Sequence, residues 1–234
     1  MTAVLEVTDL AAGYGRVQVL WDVELSVGES EVVALVGSNG AGKTTLLRAI
    51  SGMITPTAGD VRFDGSSLLG RQPEEVVRAR IAHVPEGRRL FAGLTVRENL
   101  RVGAYAGRGD ADIDRAVELF PRLGERLDQV AGSLSGGEQQ MCAIARGLMA
   151  DPKLIMIDEL SLGLAPKLVE QILERLTSVT SAGTSVLLVE QDVDAALEAS
   201  ARGYVLENGR MVASGESAAL LEDPRIREAY LGVA

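Results

Sequence analysis

The run Glu31-Val-Val-Ala-Leu-Val-Gly37-Ser38-Asn39-Gly40-Ala41-Gly42-Lys43-Thr44-Thr45 leaves this chain few ways to fold around it. An apolar strand feeds a glycine loop, and the loop opens a helix with Leu46, Leu47 and Ile50 on one face. That is the context in which Gly-x-x-x-x-Gly-Lys-Thr reads as a phosphate cradle. Glycines let main-chain N–H groups converge on an anion, because no Cβ stands in the way. The helix start adds unpaired donors and partial positive charge. Lys43 can then reach the β- and γ-phosphates of a nucleotide as a point charge, and the Thr44 hydroxyl can bind Mg²⁺.

Lys153-Leu-Ile-Met-Ile-Asp158-Glu159 is an apolar run closed by two acids, the pattern of a buried parallel strand at its carboxyl end. In an α/β sheet, ligands sit outside those strand ends. Asp158 suits an oxygen ligand to Mg²⁺, directly or through water, because Mg²⁺ in phosphate sites takes one or two carboxylates and keeps its waters. Glu159 would point elsewhere, toward the γ-phosphate and its attacking water. Alone, two acids after a strand also fit the start of a helix. Paired with the phosphate loop, they read as metal ligand and general base. Ser135-Gly136-Gly137-Glu138 opens an amphipathic helix, with Ser135 and Glu138 spaced as a capping box. Ser-Gly-Gly at a helix start is also a second anion site. One chain cannot easily wrap both sites around one phosphate, so two copies facing each other would complete it.

With Leu134 to Gln139 read in this way, the sequence resembles the ATP-binding subunits of ABC transporters, end to end and in motif order. The resemblance implies an α/β fold: a P-loop NTPase (RecA-like) core with an antiparallel β subdomain and an inserted helical subdomain. It implies a single ATP-binding domain over residues 1–234, with the helical part at about 87–152 touching a membrane partner. ATP and Mg²⁺ are the implied ligands. Residues 37–45 hold the nucleotide in one protomer, and Ser135, Gly136, Gly137 and Glu138 of a second close over the γ-phosphate. An aromatic residue at the place of Tyr14 stacks on adenine in the family; by position alone Tyr14 fits an ordinary turn tyrosine equally well.

Several residues depart from the family pattern. Glu86 stands where glutamine is usual, and a carboxylate there still serves Mg²⁺ or water. Gln191 stands where a histidine normally contacts the γ-phosphate; its amide donates a hydrogen bond but carries no proton at neutral pH. Glu159 must then supply the base, or substrate phosphate itself must help. Leu160 replaces a usual proline, which should loosen that loop, and Ala165 replaces a frequent aspartate. Together with Pro-Glu-Gly-Arg-Arg, Ser-Leu-Gly-Leu-Ala-Pro, Val-Glu-Gln and the terminal Arg227-Glu-Ala-Tyr230-Leu-Gly232, these look like the subunits of branched-chain (hydrophobic) amino acid importers. Urea and short-amide importers use similar subunits.

Composition sets outer bounds. The chain has 234 residues and a formal charge of −10, which argues against a nucleic-acid backbone as main partner. No apolar run reaches the length of a membrane span, and Glu6 and Asp9 interrupt any secretory leader. The lone Cys142 fits a reducing compartment and a packing role. The expectation is a cytoplasmic subunit, peripheral on the inner membrane through its permease and indirectly served by a substrate-binding protein. Its ATPase partner is a second copy or a histidine-bearing sister.

Along the chain, alternation predicts exposed antiparallel strands at 4–10 and 17–27, with Tyr14 in the turn between them. Helices are expected at 73–80, 95–102, 111–120, 167–181 and 193–201, and buried strands at 81–85 and 185–190. Asn208-Gly209 signals a type I′ hairpin. The single histidine, His83, reads as a satisfied core or edge residue. Two other classes share the phosphate loop. A small-molecule kinase would need an acceptor pocket and no Ser-Gly-Gly; a soluble ATPase working on DNA or ribosomes would show fused units, coiled coils or basic surfaces.

Overall fold

The computed structural model describes residues 3–106 and 113–231. The chain opens with β1 (Ala3–Tyr14), β2 (Val17–Gly28) and β3 (Val32–Val36), whose glycine loop leads into α1 (Lys43–Ile50). It continues through β4 (Ala58–Phe63), β5 (Ser66–Ser67), α2 (Pro73–Arg78) and β6 (Ile81–Val84). A helical stretch follows: α3 (Val96–Gly103), α4 (Ile113–Leu119), α5 (Pro121–Gly124) and α6 (Gly136–Leu148). Strands and helices then alternate as β7 (Leu154–Asp158), α7 (Pro166–Ser181), β8 (Ser185–Glu190), α8 (Val193–Glu198) and β9 (Arg202–Glu207). The last described elements are β10 (Arg210–Glu216), α9 (Ser217–Glu222), α10 (Pro224–Ile226) and a π-helical turn at Arg227–Leu231.

The strands form two sheets. One is antiparallel, in the order β2-β1-β4-β5; the other runs β10-β9-β3-β8-β7-β6, with β10 antiparallel and its other neighbours parallel. Alternation along β3 divides the interior. Val33 and Leu35 face the antiparallel sheet and α1, packing with Leu5, Leu10, Leu46 and Ile50. Ala34 and Val36 face the other way, toward Ile144, Ile172 and Leu197 of α6, α7 and α8. β6 and β7 are direct neighbours, so α3 to α6 leave the sheet and return to it one strand over. This places the carboxyl ends of β3, β7 and β8 side by side, with Asp158 paired to Val189 and Val36 to Glu190.

Some expectations need correction. β1 is an interior strand of its sheet, and Leu5, Val7 and Leu10 are buried, so it is exposed on one face only. Tyr14 ends β1 rather than occupying the turn, which falls at Gly15 and Arg16. The helix from 193 stops at Glu198, because Arg202 already pairs with Val33 in the sheet. Ala111, where a helix was expected to begin, and Gly232 lie outside the described residues. The expected I′ hairpin is present, with Asn208 at φ 48° and Gly209 at φ 77°. Leu160 does not loosen its loop: its side chain is fully buried and anchors the loop in the core.

Candidate functional site

The bend between β3 and α1 is wound so closely that glycine is required where it touches its neighbours. A Cβ on Gly37 would lie 2.2 Å from the Leu206 carbonyl oxygen, and one on Gly42 would lie 2.7 Å from Leu20, at a φ of 111°. Gly42 caps α1, whose first turn carries no acid, so no carboxylate of the helix itself competes with an anion for the N–H groups at its start. Residues 38–45 line a cleft of about 250 Å³, joined by Val19, Glu86, Glu159 and Gln191. Thus Glu86, Glu159 and Gln191, which lie 43, 116 and 148 positions beyond Lys43, meet it at one sheet end, as topology dictates.

Lys43 is almost wholly buried. Its ammonium donates to the Gly37 carbonyl at 2.6 Å and the Ser38 carbonyl at 3.3 Å, and it pairs with Glu159 Oε1 at 3.2 Å. Gln191 donates its amide N–H to the other oxygen, Glu159 Oε2, at 2.9 Å. Glu159 holds a left-handed backbone, φ 50°, and its N–H donates to the Val189 carbonyl at 2.9 Å. The Thr44 hydroxyl donates to Asp158 Oδ2 at 3.2 Å. Asp158 is 1% exposed, and its Oδ1 is buried without a partner. Burial pushes its carboxyl up to about 6; the Thr44 bond and Lys43 pull down, while Glu159 and Glu86 push up.

An orphaned buried carboxylate oxygen beside a hydroxyl, with further carboxylates near, fits a small divalent cation. Among the described residues no cluster of three or more His, Cys, Asp or Glu forms a complete cage. Magnesium does not require one, because phosphate oxygens and water fill its remaining positions.

Other expected residues lie apart. Tyr14, 42% exposed, is not in the cleft lining; its hydroxyl accepts from Arg48 at 2.9 Å and lies 3.4 Å from the Thr45 hydroxyl. Ser135, Gly136, Gly137 and Glu138 begin α6 and line no part of the cleft. The Ser135 hydroxyl donates to Glu138 Oε2 at 2.8 Å and accepts from the Glu138 N–H at 3.4 Å, closing the capping box. Glu138 Oε1 also pairs with Arg126 at 2.7 Å. Its carboxylate is therefore committed within the protomer, while Ser135 is exposed at the helix start and Gly137 is buried against Leu168. His83 has Nδ1 within 3.0 Å of the Ser51 hydroxyl, but its Nε2 is buried without a partner, so it is only half satisfied.

The family model described as ABC transporter matches residues 20–161. This chain is an ABC ATPase, the ATP-binding subunit of a transporter. The high-affinity branched-chain amino acid transport ATP-binding protein BraG of Pseudomonas aeruginosa is 49% identical over 222 residues, covering 94% of this chain and 95% of that one. Among solved structures, the ADP conformation of an ATP-binding cassette of an ABC transporter superposes with a TM-score of 0.87 at 27% identity, over all of both chains. A dimeric cassette in a post-hydrolysis state, bound to ADP and Pi, gives 0.80 at 25% identity over 91% of this chain and 98% of that one. Membership in this family removes the kinase reading.

Sequence reasoning gave no role to two residues that lie near Glu159. Glu190, 2% exposed, and Ser161 bond to each other directly behind Glu159. An acid closing the wholly buried strand Ser185-Val-Leu-Leu-Val-Glu190 signals that a donor is needed, but not which residue supplies it.

Proposed function

We propose that this chain binds ATP with magnesium in the cleft at residues 37–45 and hydrolyses it to energise uptake of branched-chain amino acids through a membrane permease. The observation that carries this reading is the convergence of Lys43, Thr44, Glu86, Glu159 and Gln191 on one glycine-lined cleft, with Asp158 buried behind it and bonded to Thr44. The likeness to BraG supports the cargo; urea and short amides remain the alternative cargo class.

Lys43 is held by two loop carbonyls and Glu159. Arriving β- and γ-phosphates offer it stronger, doubly charged partners, so the ammonium turns to them and releases Glu159. The freed carboxylate then orders water for attack on the γ-phosphorus. Gln191 steadies Glu159 and can lend its N–H to the γ-phosphate. Asp158, Thr44 and Glu86 would hold Mg²⁺, which supplies charge neutralisation at the phosphate oxygens. Ser135 and the N–H groups of Gly136 and Gly137 from a second protomer, a copy or a sister subunit, complete the enclosure. Closure moves the attached permease, and hydrolysis releases it. No helix of the described residues is long and apolar enough to cross a membrane, which suits attachment through permease subunits at the cytoplasmic face.

Replacing Glu159 tests the scheme. Glu159→Gln should keep ATP affinity, lower turnover at least a hundredfold and accumulate a closed dimer with ATP on size exclusion. Parent-like turnover would remove Glu159 from its role. For the cargo, a strain lacking this subunit should lose uptake of labelled leucine and keep uptake of labelled urea; the reverse result assigns the other importer class.

A further inference from the structure

The end of β8 grips the loop after β7 by contacts in which no phosphate takes part. Glu190 Oε1 accepts from the Ser161 N–H at 2.8 Å, and Oε2 accepts from the Ser161 hydroxyl at 2.7 Å. On one side of Glu190, the Val189 carbonyl accepts from the Glu159 N–H; on the other, Gln191 donates to the Glu159 carboxylate. Leu160, between the two held residues, is fully buried. Val189 and Glu190 at the end of β8, with Gln191 just beyond it, thus hold both ends of the segment from Glu159 to Ser161.

The arrangement is costly without a purpose beyond packing. A buried carboxylate loses several hydrogen bonds to water and must recover them from donors. Glu159 sits in a left-handed conformation that non-glycine residues rarely adopt. Such strain persists only where the surroundings over-determine it, and the Glu190–Ser161 pair is the side-chain part of that constraint. We propose that Glu190 is a positioning residue for hydrolysis: by holding Ser161 it fixes the loop so that the Glu159 carboxylate stays aimed into the cleft and within reach of Gln191. This rests on the reading of Glu159 as the base.

The test is steady-state ATP hydrolysis by the assembled transporter carrying variants of the full chain, with thermal unfolding alongside. Glu190→Ala should lower kcat at least tenfold and leave KM for ATP within twofold. Glu190→Gln should recover to within threefold of the parent, because its carbonyl accepts from the Ser161 N–H while its amide donates to the hydroxyl. Ser161→Ala should fall between the two, and adding it to Glu190→Ala should cost no more than a further twofold. If Glu190→Ala does not fold, Ser161→Ala and Glu190→Gln carry the comparison, and equal losses in both overturn the idea. A Glu190→Ala enzyme with lowered unfolding temperature but parent kcat shows a structural role only and overturns it too. Glu159→Gln run in parallel separates the two claims: its retained turnover sinks the base, whereas its loss beside a fully active Glu190→Ala sinks only the positioning role.

Discussion

Lys43 illustrates how one residue can be poised rather than free. Its charge is neutralised by Glu159 and two carbonyls, so nucleotide arrival exchanges partners instead of recruiting a solvated side chain. Lys43→Ala should weaken ATP binding at least a hundredfold, measured by titration calorimetry; a change under threefold would contradict this. Asp158 shows the opposite economy. Its carboxyl holds a proton better in the fold (about 6) than at its ordinary value of 3.8. The folded state therefore binds more protons through that interval, and stability falls as pH rises from about 4 to about 6 and stays low above. Asp158→Asn should stabilise the nucleotide- and metal-free protein at pH 7.5 by roughly 1–3 kcal/mol, read from urea midpoints, while abolishing magnesium-dependent turnover. Unchanged or reduced stability would refute the assignment. These side chains were legible in the sequence because each sits at a fixed offset from a glycine loop or an apolar strand. Glu190 and Ser161 were not: their meaning depends on two strand ends becoming neighbours, which local spacing does not encode.

At the level of elements, caps and periodicities carried most of the information. Thr95 with Glu98 and Ser135 with Glu138 both close reciprocal caps, and α7 and β8 fall within a residue of their expected bounds. Close approaches were invisible. Gly103 ends α3 against α6, where an added Cβ would lie 2.1 Å from the Arg146 carbonyl oxygen. Arg146 also donates to the carbonyls of Arg88 and Arg89, so α6 props the loop beyond Glu86. Gly103→Ala must push α3 and α6 apart and should cost about 1–3 kcal/mol in urea denaturation. A neutral result would show that the two helices slide freely.

Across the whole molecule, apolar runs announced buried strands without naming their neighbours. β3 lies between β8 and β9, both more than 140 residues away in sequence, because burial on two faces makes parallel strands read alike. Acid stability is also a property at this scale. His83 is held down to about 4, by burial first and by the nearby Arg48 second. The folded state therefore binds fewer protons than the unfolded chain, and stability is lost as pH falls from 6.5 toward 4. Between pH 7 and pH 5, His83→Gln should lose about 2 kcal/mol less than the parent; identical slopes would exclude His83 as the cause.

The tip of the β9–β10 hairpin carries a last consequence. Gly209 donates its N–H to the Ala41 carbonyl at 2.8 Å and accepts from the Trp21 N–H at 2.9 Å, so this late turn splices the glycine loop to β2. During synthesis, a ribosome that has delivered everything up to residue 200 has produced a polypeptide whose nucleotide cradle still lacks its rear buttress. The cradle's full set of main-chain supports is thus assembled only once the hairpin has emerged and folded back on it.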